Sequence, residues 1–183
     1  MNAQLFIGER VRLAAFNPER DAEVVARWSR DSEYWRLITS DPSRPRLAAR
    51  VKEDLAKTSP DENYFAIHTL GDDRLIGDVG LWIPSWIHAD AWVGIAIGER
   101  DYWGRGYGTD AMRVILRYAF TELNLHRVSL SVLASNARAL RSYAKAGFTL
   151  EGRARHISRW DGEWYDDVYM GILRNEWRAI TNY

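Results

Sequence analysis

Apolar and polar positions along the chain switch between a period of two and a period near 3.6, and the switches mark out its elements. Over Arg10–Phe16, Val11, Leu13 and Ala15 alternate with Arg10, Arg12 and Ala14, as in a half-buried strand. Asn17-Pro18-Glu19 then supplies an N-cap, a first-turn proline and an acid at the positive end of the dipole, opening a helix to about Arg30. Asp31–Arg44 shows neither period and reads as a loop. The helical period returns near Pro45, with Leu47, Val51 and Leu55 on one face, and stops before Pro60. Tyr64–Leu70 and Leu75–Ile83 flank the turn Gly71-Asp72-Asp73 as a hairpin, and Pro84–Ala89 links them to a strand over Asp90–Ile97. After a glycine-rich turn, Ala111, Met112, Ile115, Leu116, Ala119, Phe120 and Leu123 form one continuous apolar stripe of a helix. Arg127–Leu133 alternates again and belongs in the middle of the sheet. Asn136 caps a shorter helix through Lys145 with Gly147 as its left-handed stop, and Phe148–Trp160 and Trp164–Leu173 close a hairpin around Asp161-Gly162. The order predicts an α/β fold: a mixed central sheet of about seven strands flanked by about four helices.

Composition narrows this picture by exclusion. At 183 residues and 46% apolar, the chain has room for a sizeable core and is expected to be one domain over residues 1–183. Lys+Arg and Asp+Glu are equal at 25 each, so net charge favours neither nucleic acid nor an anionic membrane as partner. The absence of cysteine excludes disulfides, thiolate metal sites and an acyl-cysteine route, and suits a cytoplasmic location. Neither a secretory start nor an apolar run of membrane-spanning length is present, and His68, His88, His126 and His156 are too scattered to suggest a metal site. Among nine tryptophans, Trp82, Trp86 and Trp92 lie close enough to line one cleft.

The candidate chemistry is concentrated in Trp103-Gly104-Arg105-Gly106-Tyr107-Gly108-Thr109, between a strand and a helix. Glycines at alternate positions let the backbone turn sharply and bring N–H groups close to a ligand, and the helix adds the positive end of its dipole. A diphosphate fits such a turn; so does a plain strand-to-helix connection that needs glycine. No G-x-x-x-x-G-K-[ST] occurs, and G-x-G-x-x-G would need glycine where Thr109 stands, so a nucleotide hydrolase or a dinucleotide-dependent dehydrogenase is not indicated.

The element order, together with Trp103–Gly108 and Asn136–Phe148 (NARALRSYAKAGF), resembles the GNAT superfamily of acyl-CoA-dependent N-acetyltransferases over nearly the whole chain. The first stretch matches R/Q-x-x-G-x-G/A except at Trp103. The W-G-[KR]-G-Y form is similar to the branch holding ribosomal-protein N-terminal, polyamine and amino-sugar acetyltransferases. The resemblance implies a GNAT fold that transfers acetyl from acetyl-CoA directly to a primary amine, small molecule or peptide, in a ternary complex without a metal, as a monomer or homodimer. The alternative is a catalytically weak coenzyme A-binding regulatory module of the same fold.

The resemblance also assigns residues. Trp103, Gly104, Arg105, Gly106, Tyr107, Gly108 and Thr109 would hold the coenzyme pyrophosphate, Ile95, Ala96 and Ile97 would pair with the pantetheine arm, and Asn136 would contact the coenzyme or serve only as a helix cap. Tyr143 would assist the leaving thiolate. With ordinary pKa values of about 10 for Tyr and 8.5 for a thiol, full proton donation is uphill by roughly 2 kcal/mol, so a hydrogen bond is the expected role. Where the branch often carries a glutamate, two residues before Gly94, this chain has Trp92. Asp90 on the same strand face is the candidate base, with Asp78 and His88 on neighbouring segments. Without a strong base, low-pKa amines are the expected acceptors. Tyr34, Trp35, Trp82, Trp86 and Trp92 are the expected walls of the acceptor pocket.

Overall fold

A computed structural model of the chain describes residues 4–57 and 62–181. Seven strands form one sheet: β1 (Val11–Ala14), β2 (Glu62–Thr69), β3 (Leu75–Ser85), β4 (Asp90–Ile97), β5 (Arg127–Leu133), β6 (Thr149–Trp160) and β7 (Glu163–Leu173). Their spatial order is β1-β2-β3-β4-β5-β7-β6. Each neighbouring pair is antiparallel except β4 and β5, so β5 sits inside the sheet as its alternation requires.

Among the described residues there are six α-helices: α1 (Pro18–Trp28), α2 (Ser32–Ile38), α3 (Ala48–Leu55), α4 (Tyr107–Thr121), α5 (Ala137–Ala146) and α6 (Arg174–Thr181). Four lie where the hydrophobic period puts them. Pro60, the expected stop for α3, falls outside the described residues, and the helix ends at Leu55. The expected loop Asp31–Arg44 instead opens with α2, whose N-cap Asp31 accepts a hydrogen bond from Tyr34 N. After β7 the chain enters α6 without a turn, and Glu176 reaches back to accept from Leu173 N. That contact is one arm of a capping box.

The sheet buries apolar side chains on both faces. On one, α4 packs Met112, Ile115, Leu116 and Phe120 over Val79, Leu81, Val93, Val128 and Leu130, and Trp177 of α6 lies 5.4 Å from Phe120, ring to ring. On the other, Trp28 of α1 and Tyr34 of α2 cover Ala66 and Ala96. The chain ahead of β1 is bound to α4: the buried carboxylate of Asp110 accepts the N–H groups of Glu9, Arg10 and Val11 at 3.1, 2.8 and 3.1 Å. A Cβ on Gly8 would come within 2.3 Å of that carboxylate, so only glycine fits there.

One feature of the sheet positions the site. The parallel ladder of β4 with β5 covers only Asp90–Trp92 against Arg127–Ser129, after which β5 stays with β7 and β4 continues to Ile97 on β3 alone. The sheet therefore splits into a wedge at Val93.

Candidate active site

The wedge exposes backbone. Gly98 N–H bonds to Ile76 O at 2.9 Å, and the alternation of an antiparallel ladder then turns the N–H and C=O of Ile95 and Ile97 away from β3, toward the gap. The Trp103 indole takes the Ile97 carbonyl at 2.6 Å. Ile95 keeps a donor and an acceptor facing the gap, the pattern that pairs with an extended amide.

At the wide end of the wedge lies the glycine turn. Gly104 (φ 71°) and Gly106 (φ 90°) are left-handed, a conformation that strains any residue with a Cβ. Gly106 caps α4 without a side-chain bond, so the first-turn amides of α4 have no intrahelical or side-chain acceptor and point at the cleft. The acid of that turn, Asp110, is committed to the N-terminal segment and does not compete for the amides. Thr109 and Ser142 hydroxyls, 2.7 Å apart, tie α4 to α5 across the same cleft. Arg138, Arg141 and Lys145 of α5 add positive charge to its lining, and the Arg138 guanidinium stacks over Trp103 at 3.8 Å. An anion with an extended amide tail fits this cleft in charge and in shape.

Of the expected coenzyme residues, Ile95, Ala96, Ile97, Trp103, Gly104, Gly106, Gly108, Thr109, Asn136 and Tyr143 line this one cleft. Arg105 and Tyr107 do not: the exposed Arg105 guanidinium donates to Asp101 O, and the Tyr107 ring packs edge-on against Tyr102. Asn136 caps α5 by accepting from Ala139 N at 3.1 Å. Burial pushes the Tyr143 hydroxyl up to about 12, the Arg138 charge opposing slightly.

A second, larger cleft of about 860 Å³ shares Ile38, Ile95 and Ala96 with the first and opens on the other side of β4. Trp82 and Trp92 both line it, with Phe16, Tyr64, Leu55 and Asp78. Tyr34 lines the first cleft instead, while Trp35 and Trp86 line neither. Asp90, the expected base, opens β4 opposite Ser85 and Arg127 and lines neither cleft. Asp78 does line the second cleft, where it accepts the Tyr64 hydroxyl at 2.8 Å. Burial pushes its carboxyl up to about 6, and the Tyr64 hydrogen bond restrains the rise. The strand alternation places both acids on one face; only the β3–β4 register, which sets Asp78 against Ala96, shows which one the cleft reaches. The cations of α5 went unread, although 138, 141 and 145 fall on one face at helical spacing.

Residues 10–149 match the family model of the acetyltransferase (GNAT) domain. The chain belongs to the GNAT acetyltransferases. Among proteins similar to this GNAT chain is the "probable N-acetyltransferase YjcK" of Bacillus subtilis (strain 168), 38% identical over 126 residues, which span 68% of this chain and 69% of that one. The spermidine N(1)-acetyltransferase of Escherichia coli (strain K12) is 33% identical over 108 residues, covering 59% and 58% of the two chains. In fold, this GNAT chain matches the Vibrio cholerae spermidine N-acetyltransferase solved with CoA and spermine, at a TM-score of 0.81 and 24% identity over 96% of this chain and 99% of that one. No helix among the described residues is long and apolar enough to cross a membrane.

Proposed function

We propose that the chain transfers acetyl from acetyl-CoA directly to a primary amine while both are bound. The observation that carries this reading is the pair of clefts meeting at Ile95–Ala96: a wedge with free backbone and a glycine-capped helix on one side, a carboxylate-bearing aromatic cleft on the other. When bound, the coenzyme supplies an activated thioester. Ile95 pairs with its pantetheine amides, the first-turn amides of α4 hold its pyrophosphate, and Asn136 contacts the coenzyme while keeping its cap.

The amine enters from the Asp78 side. Asp78 takes its surplus proton, directly or through one water, as the new N–C bond forms and the C–S bond breaks. Tyr143 then hydrogen-bonds the departing thiolate. A hydroxyl pushed up to about 12 cannot give its proton to a thiolate whose ordinary pKa is about 8.5, so the thiolate takes its proton from solvent. Asp78 would supply the base whose absence motivates the expected preference for low-pKa amines and the reading as a catalytically weak module, and one assay decides both.

Thiol release from acetyl-CoA across a panel of primary amines tests the proposal. The wild-type kcat/KM should rise with pH through about 6, where Asp78 ionises. Asp78→Asn should lower kcat/KM by about 10²–10⁴-fold with coenzyme affinity unchanged. Wild-type turnover in folded Asp78→Asn would remove Asp78 as the base, and absence of thiol release with every amine of the panel would leave the coenzyme-binding alternative.

A further inference from the structure

The floor of the acceptor-side cleft is built from three successive cross-strand pairs on one face of β3 and β4: Asp78 with Ala96, Gly80 with Gly94, and Trp82 with Trp92. At about 3.4 Å of rise per residue, the carboxylate and the tryptophan pair stand roughly 14 Å apart along the strands. Of the glycine pair, Gly80 lies under the Tyr64 ring, whose Cδ2 would stand 2.7 Å from a Cβ there, and Gly94 leaves bare backbone. A Cβ built on Gly94 meets nothing within 4 Å, so the space above it is open. The aromatic end extends further, because Ser129 on the intervening β5 is small and Trp92 meets Tyr169 of β7 edge to face at 6.2 Å. Phe16, stacked on Tyr64 at 5.2 Å between rings, adds to the aromatic lining.

The charge of the cleft is as one-sided as its shape. Among the described residues that line it, only Asp78 and Asp54 are acidic. Asp54 is already held by Arg46, by Lys57 at 2.6 Å and by Arg50 at 3.7 Å. Lys57 itself lines the cleft and would repel a second ammonium. Asp78 alone has a carboxylate free of a cationic partner, and its neighbours farther along the floor are aromatic and aliphatic.

We infer that the acceptor is a monoamine on a flat apolar body, an arylalkylamine in its simplest form, and not a polyamine. This rests on the acetyl-transfer reading for its role but not for its fit. The amine lies over Gly94, beside the Tyr64 ring and within reach of Asp78, and the ligand's ring lies against Trp82 and Trp92. One positive charge meets one free carboxylate. Two or three charges spaced along a chain would leave the outer ones against tryptophan rings and Lys57.

The test is equilibrium binding by calorimetry on the full chain loaded with CoA, which needs no turnover. The titrants are 2-phenylethylamine, a tripeptide with N-terminal phenylalanine, propylamine and spermidine. 2-Phenylethylamine should bind at least about 10-fold more tightly than spermidine and than propylamine, since an aromatic ring buried in such a wall is worth that much. Tighter binding of the tripeptide would assign the same aromatic amine to a peptide N-terminus. Trp82→Ala should weaken the two aromatic ligands about 10-fold and propylamine less than twofold. Tighter binding of spermidine, equal binding of all four, binding of none, or an equal loss for all ligands in Trp82→Ala would overturn the inference. If 2-phenylethylamine binds tightly but no thiol is released, the transfer reading fails and the acceptor class stands.

Discussion

Asp78 carries opposite consequences for activity and stability. Its carboxyl is raised from 3.8 to about 6 by burial, so the folded chain holds a proton more tightly than the unfolded chain between those values. Unfolding then becomes easier as pH climbs from 3.8 to 6, and at neutral pH the ionised group costs the fold up to about 3 kcal/mol. Asp78→Asn removes that cost. Thermal melts should show the variant more stable than wild type at pH 7.5, with the gap closing toward pH 4. A variant that is less stable at pH 7.5 would mean the carboxylate is better solvated at the cleft floor than its burial implies. The same residue marks the limit of what could be read without the structure. Gly104 and Gly106 announce their turn because left-handed backbone demands glycine locally. Which carboxylate faces the cleft depends on a pairing between strands, which leaves no trace in the spacing of Asp78 and Asp90.

At the scale of elements, legibility followed length and punctuation. The apolar stripe of α4 spans 15 residues, and its period is unmistakable. The seven residues of α2 make barely two turns, too few to separate a helical period from chance, although Asp31 at its N-cap was a usable signal. The eight residues of α6 follow β7 with no turn residue to separate them. Neither omission is peripheral, since Tyr34 and Ile38 of α2 wall the clefts and Trp177 of α6 seals the core behind α4. The join between the N-terminal segment and α4 was equally invisible, because an acid in a helix's first turn is commonplace and nothing in the spacing of Asp110 points to the N-terminal segment. Asp110→Ala should strip three backbone amides of their acceptor and destabilise the fold by about 2–4 kcal/mol in urea unfolding, with the m-value unchanged. A cost below about 1 kcal/mol would show that water replaces the carboxylate there.

For the molecule as a whole, the wedge makes the sheet a structure that its own chain does not finish. Beyond Trp92, β4 has a strand neighbour on one side only, and on the proposed reading the coenzyme's own amides would fill the other side. Bound in that way, the coenzyme would be a rung of the sheet as well as a reactant. Ligand at 100 times its dissociation constant should add about 2.7 kcal/mol of stability, visible as a higher melting temperature. Amide exchange should slow at Ile95 while hardly changing in the β6–β7 hairpin, whose ladder, interrupted at residue 151 and over residues 155–157, forms without it. Uniform slowing across the sheet would mean that the wedge is closed by something other than backbone pairing. Since an unfinished sheet edge is also the part of a fold most open to stray strands and proteases, the supply of coenzyme in the cell would govern how long each copy of this protein lasts, apart from how fast it works.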